Sequence, residues 1–166
     1  METDKTKLRA KKYRNRFLAK IVFLTIAIYL LCTQVICIKR VSSNDMFPAI
    51  KEGDLVIAYR LTKPTTGDAV IYQNNGIRFG RVAATKDMVV DINDDGYFVD
   101  GYHPSEEIFY PTEAADNMSY PITIKENEYF ILNDFRAQKN DSRSNGCIKK
   151  NDIIGKIVFV LRRRGI

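Results

Sequence analysis

At 166 residues, 45% of them hydrophobic, the chain is long enough for one domain with a real core, but too short for two of ordinary size once a membrane segment is subtracted. The net charge of +6 sits at one end: residues 1–20 hold eight basic and two acidic groups, while the rest of the chain holds 18 of each. A neutral domain offers no basic face to a nucleic acid beyond Arg162-Arg163-Arg164 near the C-terminal end, so nucleic acid is not an expected partner.

Residues 1–20 read as a basic tail, and Ile21 to Ile38 carry no charge. Eighteen helical residues rise about 27 Å, enough to cross a hydrocarbon core. The sequence Cys37-Ile38-Lys39-Arg40-Val41 lacks the small residues of a cleavage site, so residues 21–38 are expected to be a retained single-pass anchor and not a removed signal peptide. Eight basic residues before the span, against Lys39 and Arg40 after it, predict a cytoplasmic N-terminus and an extracellular domain over 39–166 in the cell membrane. Two of the three cysteines, Cys32 and Cys37, fall in the apolar run, leaving Cys147 alone; the domain is expected to be free of disulfides and Cys147 to be buried. His103 is the only histidine, so no metal site and no cofactor are predicted, and His103 reads as a loop residue.

Beyond the polar stretch Ser42-Ser43-Asn44-Asp45-Met46-Phe47-Pro48, short runs rich in branched residues alternate with turns. Leu55–Tyr59 and Ala69–Tyr72 read as strands, and Asn74-Asn75-Gly76 reads as a hairpin turn into Ile77–Val82. Met88–Ile92 and Tyr97–Val99 continue the pattern around Asp94-Asp95-Gly96. Residues 101–121 lose the alternation and read as an inserted loop or small subdomain. Strands resume at Ile122–Ile124, Glu128–Asn133 and Ile153–Leu161. The pattern predicts a mainly β domain, a barrel or folded antiparallel sheet.

Four motifs in order behind an anchor resemble those of type I signal peptidases, over nearly the whole chain. Ser43-Asn44-Asp45-Met46-Phe47-Pro48 resembles the nucleophile motif, and Gly53-Asp54-Leu55-Val56 and Gly67-Asp68-Ala69-Val70 resemble the family's next Gly-Asp elements. Arg78-Phe79-Gly80-Arg81-Val82 looks like the strand that carries the lysine base, and Asn133-Asp134-Phe135-Arg136 with Asp141-Ser142-Arg143 resembles the last motif. The resemblance implies an antiparallel signal-peptidase-like β fold in which a serine attacks the peptide carbonyl and a buried neutral lysine takes its proton. Here the serine position is Asp45 and the lysine position Gly80, while Lys139 stands where the family has a hydroxyl. A carboxylate is a poor acyl nucleophile for an amide, because the anhydride it forms reverts more easily than it proceeds, and glycine takes no proton. Ser43 still matches a position that helps form the oxyanion hole.

The resemblance therefore implies a catalytically degenerate member, similar to the signal-peptidase-like accessory proteins of Gram-positive (streptococcal) pilus loci. By that likeness the chain is expected to act as an assembly factor or chaperone, binding pilin subunits or sortase in the former peptide groove. That groove would be formed by Ser43, Met46, Phe47 and the strand Ile77, Arg78, Phe79, Gly80, Arg81, Val82; Met46 and Phe47 are read either as groove contacts or as dipping toward the membrane surface. Asp134, Arg136, Asp141, Ser142 and Arg143 form the structural motif, with Asp141 expected to pair with Arg143. Residues two apart on a strand share a face, so Arg78 projects beside Gly80, and Asp45 is expected to form an ion pair with Arg78 or with Lys139. The alternative is an active signal peptidase with relocated groups, drawn from Ser42, Ser43, Ser142 and Ser144 with Lys86 or Lys139, or from Asp45 with Asp134 or Asp141. A repressor-type self-cleaving protein is disfavoured by the anchor and the neutral domain. The sequence carries no signal for an oligomeric state.

Overall fold

The computed structural model describes residues 2–105 and 110–162, with side chains from residue 11 onward. A helix, α1, runs from Glu2 to Val35. Within Lys11–Val35 this helix is long enough to cross a membrane, and an 18-residue window of it has a mean hydropathy of 2.0. The predicted anchor extended to Ile38, but Ile36 to Arg40 form the first strand, β1. Alternation explains the change: Cys37 turns into the core while Ile36 and Ile38 face outward, a period of two that a helix does not produce. The apolar helical stretch accordingly extends backward through Ala19, Leu18 and Phe17, with Lys20 among them, a residue able to lead its ammonium along the helix to water.

From Cys37 the chain forms a second compact unit. Its strands are β2 (Leu55–Tyr59), β3 (Ala69–Gln73), β4 (Ile77–Ala84), β5 (Val89–Asn93), β6 (Gly96–Val99), β7 (Ile122–Thr123), β8 (Glu128–Leu132), β9 (Ile148–Lys149) and β10 (Ile153–Leu161), with a one-turn helix α2 at Ser142–Asn145. A seven-stranded sheet has the order β1-β2-β10-β3-β4-β8-β9, and a three-stranded one the order β6-β5-β7. The pairings along β2-β10-β3-β4-β8-β9 and within β6-β5-β7 are antiparallel, giving the mainly β, antiparallel domain that the alternation predicts.

The Asn-Gly turn sets the register at the centre of the large sheet. Asn75 and Gly76 adopt positive φ values of 49° and 124°, which closes the hairpin and aligns Gln73 with Ile77, Tyr72 with Arg78 and Val70 with Gly80. Opposite faces of these strands feed two cores. Ile71 and Phe79 join Val41, Met46, Ile50, Val56 and Ala58, while Val70, Tyr72 and Val82 join Tyr129, Ile131 and Ile148. A third core, holding Val90, Ile92, Tyr97, Val99 and Phe130, ties the small sheet to β8. Residues 103–105 and 110–121 carry no helix or strand, while the part of that segment at 106–109 lies outside the described residues. His103 stacks on Phe98 with ring centroids 4.1 Å apart, and its Nδ1 lies 3.0 Å from the Tyr97 carbonyl.

Candidate functional site

Residue 45 is held by the chain on both sides of it. The loop from Val41 to Asp54 closes on itself, since Val41 N–H donates to the Asp54 carbonyl at 2.8 Å and Gly53 N–H to the Val41 carbonyl at 2.9 Å. Inside it, Ile50 N–H donates to the Met46 carbonyl at 2.8 Å, and Glu52 N–H to the Asn44 side-chain oxygen at 3.0 Å. Met46, expected at the groove or the membrane surface, is fully buried and packs with Val56 and Phe79; a flexible thioether fills that core and cannot meet a partner. Phe47 remains half-exposed, edge-on to Phe135 with centroids 6.5 Å apart.

Asp45 is 3% exposed. Ser43 Oγ donates to its Oδ2 at 2.8 Å, and Arg78 Nη1 lies 3.9 Å from the same oxygen. Of the two partners expected for Asp45, Arg78 is the one that reaches it, at the outer limit of an ion pair and too far for a hydrogen bond. Lys139 is engaged elsewhere: its ammonium donates to the Ala114 carbonyl at 2.9 Å and pairs with Glu113 at 3.1 Å. The Asp45 carbonyl accepts from Phe135 N–H at 2.9 Å, which joins this loop to the segment after β8.

That segment is a buried polar frame. Arg81 grips Asp134 through Nε at 2.8 Å and Nη2 at 2.6 Å. Asp141 and Arg143, both fully buried, pair at 2.8 Å, and Arg143 also donates to the carbonyls of Arg136 at 2.9 Å and Gln138 at 2.7 Å. Asp141 further accepts from Asn133 N–H at 2.9 Å, and Ser142 Oγ accepts from Ile131 N–H at 2.9 Å. Arg136 donates to Thr112 Oγ1 at 2.6 Å. Asp134 and Asp141 each have an arginine of their own, so neither forms a carboxylate pair with Asp45.

Relocated serine chemistry lacks its geometry among the described residues. Ser43 is tied to Asp45, Ser142 is buried in the frame, and Ser144 donates to the Lys139 carbonyl. Among the described residues both candidate bases have carboxylate partners, Lys86 with Glu126 at 3.6 Å and Lys139 with Glu113 at 3.1 Å.

Of the other groove residues, Ile77 is exposed and Arg78 and Arg81 are half-buried, whereas Phe79, Gly80 and Val82 are buried. Phe79 and Val82 are therefore core and not groove surface, because their faces of β4 meet Ile71 and Ile131. Strand β8 pairs with β4 only from Arg81 onward, so the Ile77–Gly80 half of β4 has a strand on one side alone. Two residues absent from the sequence reading also belong to the site: Tyr72, opposite Arg78, and Ile131, opposite Val82. Burial raises the Tyr72 pKa, with the Asp141 and Asp45 carboxylates adding to the shift and Arg78 opposing it. The signal for Tyr72 was the Asn-Gly turn, since counting back from it sets the β3–β4 register; Ile131, on β8, has no such local signal.

The profile of the family described as "Signal peptidase, peptidase S26" matches residues 14–162. Thylakoidal processing peptidase 1, chloroplastic, of Arabidopsis thaliana is 27% identical over 142 residues, covering 73% of this chain and 40% of that protein. This chain thus spans less than half the length of that relative. The inactive signal peptidase IA of Staphylococcus aureus (strain COL) is 25% identical over 154 residues, covering 86% of this chain and 88% of that protein. A solved structure of signal peptidase I from Enterococcus faecalis V583 aligns with 58% of this chain and 98% of its own, at a TM-score of 0.47 and 21% identity.

Proposed function

We propose, from the premise that the chain belongs to the signal peptidase, peptidase S26, family, that it is a non-catalytic member holding an extended peptide at the outer membrane surface as an assembly factor for surface proteins. The observation that carries this reading is the state of the site. A buried carboxylate, hydrogen-bonded by Ser43 and with Arg78 3.9 Å away, stands where the resemblance puts the nucleophile, and a glycine stands where it puts the base. The catalytic pair is gone, while a strand edge able to take a peptide remains.

Binding would use the half of β4 at Ile77–Gly80, whose outer side is paired with no strand among the described residues. An extended segment adding there makes main-chain hydrogen bonds whatever its sequence, and the exposed Ile77 with the half-exposed Arg78 and Phe47 would select among partners. Pilin subunits or sortase are the proposed partners, on the likeness to pilus accessory proteins. The relative named inactive signal peptidase IA, of nearly the same extent, supports the non-catalytic part of the reading.

Two measurements test it. The 166-residue chain in detergent, incubated with a peptide spanning a signal-peptide cleavage site, is expected to give no turnover; cleavage abolished by Ser→Ala at any one serine would sink the non-catalytic reading. A photo-reactive residue at position 77, with pilin or sortase domains added one at a time, is expected to cross-link to one of them. Cross-linking to neither removes the assembly partners.

A further inference from the structure

Gly80 pairs directly with Val70, and its diagonal neighbours on the same face are Tyr72 on β3 and Ile131 on β8, the latter opposite Val82. Both lean over the glycine. A β-carbon at residue 80 would lie 2.4 Å from Ile131 Cγ2 and 3.2 Å from Tyr72 Cε1, whereas carbon atoms in favourable contact sit about 3.5–4.0 Å apart. The obstacle is not a surface side chain that swings aside. Ile131 and Tyr72 have no exposed surface and pack in one cluster with Val70, Val82, Tyr129 and Ile148. The Tyr72 hydroxyl is buried without a hydrogen-bond partner, in reach of the charges of Asp141, Arg78 and Asp45.

We propose that Ile131 and Tyr72 fill the space that the first atoms of any side chain at position 80 would need, so that a serine–lysine dyad is barred by packing as well as by the residues at 45 and 80. The inference rests on the reading of the site as non-catalytic and adds to it two residues that make the loss permanent. Forcing extra carbons into a filled core moves neighbours off their rotamers or shifts the backbone. Writing serine and lysine back into the sequence is then insufficient.

The test uses Gly80→Ala, Ile131→Ala and the double variant of the 166-residue chain in detergent, followed by thermal melts. Gly80→Ala is expected to lower the Tm even though alanine is the better strand residue in open space, and the double variant to melt no lower than Ile131→Ala alone. In parallel, Asp45→Ser/Gly80→Lys is expected to cleave a signal-peptide substrate no faster than the unaltered chain. The inference is overturned if Gly80→Ala melts with the unaltered chain, if the two losses simply add, or if the serine–lysine variant gains turnover. Cleavage by the unaltered chain would remove the non-catalytic reading instead, and the melts would still decide the packing.

Discussion

Burying an unpaired carboxylate costs several kcal/mol, and Asp45 at 3% exposure avoids that cost through two unequal partners. Ser43, at 2.8 Å, gives a directed hydrogen bond, while Arg78, at 3.9 Å, compensates charge from a distance without binding tightly. Asp68 shows the opposite balance. Burial alone would raise its pKa, yet hydrogen bonds from Lys156, the Thr65 N–H and the Thr65 hydroxyl lower it below 3.8. Its Lys156 contact, at 2.8 Å, fastens the turn before β3 to β10. A folded-state pKa below the unfolded one means that this stabilisation is complete above pH 3.8 and disappears as the pH falls through the lower folded value. Asp68→Asn is therefore expected to lose about 0.5 kcal/mol at neutral pH, with the Tm difference from the unaltered chain closing as the pH falls below 3.8 and through the lower folded value. A difference that persists in acid would mean that the side chain acts through shape and not charge.

At the scale of elements, the segment after β8 is built the other way round from an apolar strand. Asp141, Ser142 and Arg143 are wholly buried, and each polar group there is answered by a backbone atom or by its neighbour. Removing Arg143 strands a carboxylate in a dry interior, so Arg143→Ala is expected to cost about 3–5 kcal/mol, much of a typical domain's stability. Urea unfolding would report it as a large fall in midpoint, and a loss under about 1 kcal/mol would show that water reaches Asp141. The Asp141–Arg143 pair was legible because the two residues are two apart in sequence and of opposite charge. So were the strands, since Val56 and Ala58 point inward between outward-facing Leu55 and Ile57, the alternation a half-buried strand writes into its sequence. Met46 was misplaced because a methionine in a polar loop gives no periodicity by which to read its direction. The covering of Gly80 was invisible for a further reason. It depends on β8 lying beside β4, a pairing between residues some fifty apart that no local pattern encodes.

For the whole molecule, the uneven charge carries the argument. Eight basic residues precede the apolar helix, and only Lys39 and Arg40 follow closely after it, on a strand that starts one residue past the helix end at Val35. With the helix ending there, the uncharged stretch Ile21–Val35 rises about 22 Å, so a helix that crosses a bilayer here would set Lys20 near one edge of the hydrocarbon, its ammonium turned toward the headgroups on the N-terminal side. A basic flank on that side resists translocation, which predicts that the β domain is the part carried across. Protease added to intact protoplasts is then expected to digest the domain and leave an N-terminal epitope protected, while the same protease added after detergent removes both. Protection of the domain in intact cells would reverse the orientation and place the Asp45–Arg78 site in the cytoplasm, away from any exported partner. Moving the charge supplies the control: replacing Lys11, Lys12, Arg14 and Arg16 with glutamine should expose the N-terminal epitope in a fraction of the molecules, if the basic flank is what holds it inside.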